Sequence, residues 1–247
     1  MKLYTVGCSF THADDQGWPN MLAEKLGAEL ENKGAGGAGN TYIGNALPLV
    51  PGQPTPNLVV VMWSGLTRKD VLIDHSDKLL MKTLDGYRYV RWCGFDTSYV
   101  LSGGIANNWQ YHPATKEIFY PLYKISNERS MAAETLLNII SLQNYLKNKK
   151  IPYIMSSYVN YWTDAARVCE QDFGIKQFKD LEYLVKQIDF DHWVFANDKK
   201  DCIYELAAAT PNGLEDDKFH PALVTHELWT NILMEKIEKG NYLVKEN

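Results

Sequence analysis

Three stretches of this chain hold residues whose types and spacing suit acyl transfer. Near the start, Gly7-Cys8-Ser9-Phe10-Thr11 places a serine just past a short apolar run. A serine hydroxyl is a weak nucleophile until a base takes its proton, and the usual base is a histidine oriented by a carboxylate. Near the other end, Asp217 and His220 stand three residues apart in DKFHP, directly before a helical pattern. That spacing can bring carboxylate and imidazole together on one turn. Taken singly, Ser9 reads as a cap, Asp217 as a surface acid and His220 as a structural histidine. Together they form a nucleophile, a base and an orienting acid.

The third stretch is ENKGAGGAGNTYIG, residues 31–44. A glycine-rich turn lets backbone amides point at a developing oxyanion, usually the largest catalytic contribution. The same stretch matches GxGxxG at Gly34, Gly36 and Gly39. A dinucleotide site needs an apolar strand before the glycines and an acid about 20 positions beyond them. Here the preceding residues are polar, and no Asp or Glu occurs between Asn32 and Lys69. Both requirements fail. His12, with Asp14 and Asp15 close by, offers metal-ligand types, but no second set is spaced to complete a site, and no metal is expected. His226 reads as a packing or surface residue of the last helix.

These residues must be positioned by the elements around them. Lys2–Val6 and Ile151–Met155 read as strands, and Leu58–Met62 is the continuous apolar run of a buried parallel strand. Helices are expected over Trp18–Leu26, with Gly27 just past its end, and over Glu134–Lys147, Phe178–Ile188 and Pro221–Ile237. Strands alternating with helices imply a parallel sheet covered on both faces. Ligands of such sheets bind at the carboxyl ends of the strands, which directs attention to the loops after Val6, Asn32 and Met62. Residues from about 71 to 129 are rich in Tyr, Trp, Gly and Asn with weak periodicity. They read as an insertion into a single domain spanning 1–247. Its stretch Tyr87–Tyr123, with Trp92 and Trp109, suggests stacking on sugar rings or simple packing of the insertion.

In these blocks the chain resembles the SGNH (GDSL-like) hydrolases. Gly7-Cys8-Ser9-Phe10 is similar to their Gly-Asp-Ser-(Leu/Phe), with Cys8 where Asp is usual. Asn32-Lys33-Gly34-Ala35-Gly36-Gly37 is similar to their second block, and Asp217-Lys218-Phe219-His220-Pro221 matches their last block fully. The resemblance covers both ends and leaves the middle uncovered. It implies an α/β, flavodoxin-like three-layer α/β/α sandwich with a central parallel sheet. It also implies an esterase or acylhydrolase with catalytic Ser9, His220 and Asp217 and no cofactor, in which the amides of Ser9 and Gly37 hold the oxyanion. The chain departs from the third block, Gly-x-Asn-Asp. In Met62-Trp63-Ser64-Gly65-Leu66-Thr67-Arg68, Gly65 falls where the oxyanion-binding Asn should be, and Ser64 or Arg68 is the expected substitute. Asn40 and Trp63 are the expected substrate contacts, with Asn40 alternatively ordering the glycine turn. Short phage-encoded relatives resemble this chain in having Trp-Ser and a nearby Arg here.

The gross composition fits that reading. The chain has 247 residues, 45% hydrophobic and 22% charged, with a net charge of -5. No basic surplus argues for nucleic acid or an anionic membrane as partner. No apolar run approaches a membrane span or a signal peptide, so a cytoplasmic location is expected, or a virion-associated one if the chain is phage-encoded. The four cysteines form no CxxC, so neither a disulfide framework nor a zinc knuckle is expected. The expected substrate is a small-molecule or carbohydrate acyl ester, with acetyl on a carbohydrate first. The rival is a catalytically degenerate carbohydrate-binding or structural module, motivated by Cys8 and the missing block-three Asn.

Overall fold

The structure is a computed structural model that describes residues 1–12, 15–47, 55–74, 89–91, 97–104, 113–163, 173–240 and 242. Its centre is the apolar strand β3 (Leu58–Trp63), buried along its whole length. β3 pairs in parallel with β1 (Lys2–Val6) on one side and with β7 (Tyr153–Ser157) on the other. β2 (Glu29–Asn32) pairs in parallel with the far side of β1, giving the order β2-β1-β3-β7. Because β2 is an edge strand, its ELEN sequence is only partly buried, which accounts for polarity where an inner strand would be apolar. Beyond β7, Met155 forms a single parallel bridge with Trp193. An extended segment thereby continues the sheet by one position.

Helices cover both faces. On one, α2 (Trp18–Leu26) packs against α8 (Leu223–Gly240); on the other, α3 (Asn40–Asn45) packs against α5 (Glu128–Asn148). The chain is thus an α/β protein with a central parallel sheet between helical layers. α2 ends at Gly27 in the left-handed region (φ 58°), whose amide closes onto the carbonyl of Glu24. α5 starts with a capping box in which Asn127 and Ser130 satisfy each other's amides.

The stretch between β3 and α5 builds a second, antiparallel sheet. Its strands are β4 (Asp70–Asp74), β5 (Tyr89–Arg91) and β6 (Thr97–Leu101), in the order β4-β6-β5. Helix α4 (Pro113–Ile125) follows it. Trp92 and Trp109, singled out in the aromatic stretch there, lie outside the described residues. One expectation is corrected. Phe178–Ile188 is not a continuous helix but a 3-10 turn, Lys179–Leu181, followed by the single-turn helix α6 (Glu182–Val185), with a separate 3-10 turn, Ile175–Gln177, just before it. The backbone leaves the helical region at Phe178 (φ -99°, ψ 80°). The helix-like spacing of Leu181, Leu184 and Ile188 reflects their burial in the core.

Candidate active site

Ser9 opens α1 (Ser9–His12), a single turn at the carboxyl end of β1 closed by the Thr11 and His12 amides on the Cys8 carbonyl. Gly7 is required for this turn. A Cβ there would lie 2.1 Å from Thr11 Oγ1 and 2.9 Å from the Met62 carbonyl. Cys8, beside the nucleophile candidate, is fully buried.

Asp217 and His220 come from one tight loop between α7 (Ile203–Ala209) and α8. An antiparallel bridge between Leu214 and Pro221 closes its neck, and the Glu215 amide donates to the His220 carbonyl at 2.8 Å. Lys218 makes the turn in the left-handed region (φ 59°). Within the loop, Asp217 Oδ1 accepts the amides of Phe219 (2.8 Å) and His220 (2.9 Å), while Oδ2 meets His220 Nδ1 at 2.5 Å. Burial works to raise the Asp217 carboxyl, but these three hydrogen bonds outweigh it and hold the group below its usual range.

The other imidazole nitrogen, His220 Nε2, lies 3.1 Å from Ser9 Oγ. Ser9, His220 and Asp217 therefore form a continuous hydrogen-bonded line. With Nδ1–H donated to Asp217, Nε2 is free to accept the serine proton. The imidazole packs against two aromatic rings, Phe219 at 5.0 Å and Phe10 at 5.5 Å between centroids, and Phe10 leans on Tyr158 at 4.7 Å. Sequence reasoning missed this aromatic wall. Its only signal was a Phe adjacent to each of Ser9 and His220.

The glycine-rich turn packs backbone to backbone between the other two loops. A Cβ on Gly34 would lie 2.6 Å from the His12 amide nitrogen, and one on Gly39 would lie 2.8 Å from the Arg68 carbonyl. The Asn32 side chain stitches the turn to α1, donating to the Thr11 carbonyl (2.8 Å) and accepting from the Gly34 amide (2.8 Å). His12, weighed above as a metal ligand, places Nδ1 2.9 Å from the Gly34 carbonyl. Gly37 adopts φ 85°, and its carbonyl accepts from the Gly103 amide at 3.1 Å. Among the described residues no hydrogen bond is made by the amides of Ser9, Gly37 and Gly65.

Two expected substrate contacts are corrected. Trp63 is fully buried in the core, so it has no surface to offer a ligand. Asn40 is also buried, and its carboxamide is used within the protein. Its Nδ2 donates to the Ser64 carbonyl (3.1 Å) and to Thr135 Oγ1 (3.0 Å), and its Oδ1 accepts the Ser64 amide (2.7 Å). Asn40 orders the loop after β3. Ser64 is likewise buried; its amide is taken by Asn40, and its hydroxyl has no hydrogen-bond partner. Arg68 reaches back toward the glycine turn. Its Nη1 donates to the Ala38 carbonyl (3.4 Å), and its guanidinium lies over Tyr158, with Cζ 5.2 Å from the ring centroid.

A cleft of about 550 Å³ opens beside the nucleophile candidate, lined by Ser9, His12, Gln16, Glu215, His220 and His226 among others. His226 is buried and accepts from the Trp18 amide at 3.3 Å. Burial, with help from His220, pushes its imidazole down to about 4. Among the described residues, Glu215, Asp217 and His220 bring potential metal-ligand atoms within 4.8 Å of one another. Two of these three are already committed to each other.

A scan against protein-family models and a comparison with curated proteins return no match. Comparison with solved structures does. TesA aligns with a TM-score of 0.52 at 13% identity, over 97% of this chain and 99% of that one. Axe2, an acetylxylan esterase from Geobacillus stearothermophilus, aligns with a TM-score of 0.50 at 16% identity, over 96% of this chain and 93% of that one. A catalytic mutant of Axe2 gives 0.51 at 14% identity, over 99% and 97%. The likeness runs through nearly the whole of each chain and shows a shared fold.

Proposed function

We propose that this protein is a serine esterase of the SGNH type that removes a small acyl group, such as acetyl, from a carbohydrate. The observation that carries the reading is His220, hydrogen-bonded at once to Ser9 and Asp217. In the reaction, Ser9 Oγ attacks the ester carbonyl carbon while His220 Nε2 takes its proton. The carbonyl oxygen becomes an oxyanion facing the amides of Ser9 and Gly37. Arg68 or the Gly65 amide supplies the donation that the family's block-three Asn makes elsewhere. Collapse of the tetrahedral species expels the alcohol, which takes the proton back from Nε2. Water then repeats the sequence on the acyl-enzyme, releasing the carboxylic acid and restoring Ser9. Asp217 keeps the imidazole in the correct tautomer and stabilises the imidazolium.

The character of the cleft supports the choice of alcohol. The leaving group must lie near His220, and the cleft there is lined by hydrogen-bonding side chains, Gln16, Glu215 and His12. Such a lining suits a hydroxyl-rich alcohol better than a long alkyl chain. That structurally similar proteins include an acetylxylan esterase agrees with this choice. Among the described residues no helix is long and apolar enough to cross a membrane.

The test is labelling with a fluorophosphonate, read by mass spectrometry. A stoichiometric adduct on Ser9, together with turnover of 4-nitrophenyl acetate that disappears in Ser9→Ala, is the expected result. The competing reading, a degenerate carbohydrate-binding module, draws on the lack of a side chain at Gly65. It would be favoured by a folded protein that takes up no label.

A further inference from the structure

A second cavity, about 360 Å³, is formed by the chain that follows β7 and shares no lining residue with the catalytic cleft. Its walls are aromatic, with Trp162, Phe178 and Phe190, and three lysines, Lys176, Lys179 and Lys200, border it. Among the described residues none of these lysines pairs with a carboxylate. The one acid in the lining, Glu182, is engaged by Lys186 at 2.9 Å.

Lone surface lysines are ordinarily just solvated, and Lys176 and Lys179 taken alone would be. Lys200 is different. It is partly buried, with its ammonium 4.0 Å from the Phe190 ring centroid and 5.5 Å from that of Phe195. Burial and the neighbouring Lys176 both work against its charge. Its backbone sits in the left-handed region (φ 64°), a strained conformation for a residue with a side chain. The Trp162 indole N–H is buried without a hydrogen-bond partner, in a residue only 3% exposed. A partly buried ammonium beside a like charge at the rim of an apolar hollow is favoured when an anion enters.

We propose that this cavity binds a small carboxylate carried on a ring with an apolar face, that face lying against Phe178 and the carboxylate between Lys176, Lys179 and Lys200. Sugar CH faces and aromatic rings both stack on such walls, so a uronic acid and an aromatic acid share the required chemistry. The site is independent of the esterase reading, since it uses none of that machinery.

Calorimetric titration of the full chain with glucuronate, with benzoate and with neutral glucose tests it. The expected result is saturable binding of at least one anion, one per chain, weakened by salt and by roughly tenfold in Lys200→Gln or Phe178→Ala. Turnover of 4-nitrophenyl acetate should be unchanged in both variants. Glucuronate alone binding identifies a sugar acid; benzoate alone identifies an aromatic acid. Lys176→Gln, at an exposed position, repeats the test if either variant misfolds. Absence of binding by both anions, equal binding of glucose, or an affinity untouched by folded lysine variants would overturn the assignment.

Discussion

Asn40 grips the chain at Ser64 from both sides, accepting its amide at 2.7 Å and donating to its carbonyl at 3.1 Å. This clamp fixes the backbone of the loop after β3, where the proposed mechanism draws on Arg68 or the Gly65 amide. Asn40→Leu should therefore leave the Ser64 amide buried and unpaired, at a cost of about 1–3 kcal/mol in stability. It should also lower kcat for 4-nitrophenyl acetate with little change in KM, because the donors it aligns act in the transition state. Urea unfolding and steady-state kinetics measure the two effects.

Asp217→Asn keeps the shape of the loop but removes the charge that selects the His220 tautomer. By the logic of serine hydrolases, kcat should fall roughly 10³–10⁴-fold. Fluorophosphonate labelling of Ser9 should slow in parallel while the melting temperature changes little. Normal labelling would show that another group activates Ser9.

The second sheet is stitched to the loop after β3. Ser102 Oγ accepts the Lys69 amide (2.9 Å) and lies 2.8 Å from the Tyr123 hydroxyl, which donates to the Thr67 carbonyl (2.8 Å). Tyr123→Phe removes that last donor close to Arg68. The expected outcome is a loss of about 1 kcal/mol in stability with a several-fold drop in kcat. Recovery of full activity at lower temperature would reduce the effect to folding alone.

Gly34→Ala would force a Cβ to 2.6 Å from backbone atoms of both Thr11 and His12. Since backbone cannot step aside as a flexible side chain can, the turn carrying Ser9 should shift. Activity should be lost even where the circular dichroism spectrum is preserved. Gly36→Ala, with nothing within 4 Å of the new Cβ, is the matched control and should fold normally.

The buried His226 predicts a pH dependence. Its folded value of about 4 lies below the ordinary 6.5, so the unfolded chain takes up the proton first as pH falls. This stability is complete above about 6.5 and is lost progressively down to about 4. It amounts to as much as about 3 kcal/mol. Thermal melts across that window should show the loss. His226→Gln, which keeps an acceptor for the Trp18 amide, should flatten that part of the curve.

Much of the framework was legible because it is local. Val59–Val61 can only be an inner strand, and Trp18–Leu26 carries its own start and stop signals in Pro19 and Gly27. The hydrogen bond between Asp217 and His220 follows from a spacing of three within one loop. What was not legible depends on distant parts of the chain. Asn40 looked like a ligand-binding residue because its partners, Ser64 and Thr135, are 24 and 95 positions away. Trp63 looked like a platform because nothing local shows that the end of β3 is still under cover. Leu181, Leu184 and Ile188 imitated one long helix because all three are buried, while the hydrogen bonds beneath them change from a 3-10 turn to a single α-turn.

The acid and base candidates share a small bridged loop, so the machinery needs only one distant meeting, Ser9 with His220 across 211 positions. Turnover is therefore a readout of whole-chain integrity. Any lesion that lets α8 drift from the start of the chain should silence the protein before its bulk secondary structure has melted.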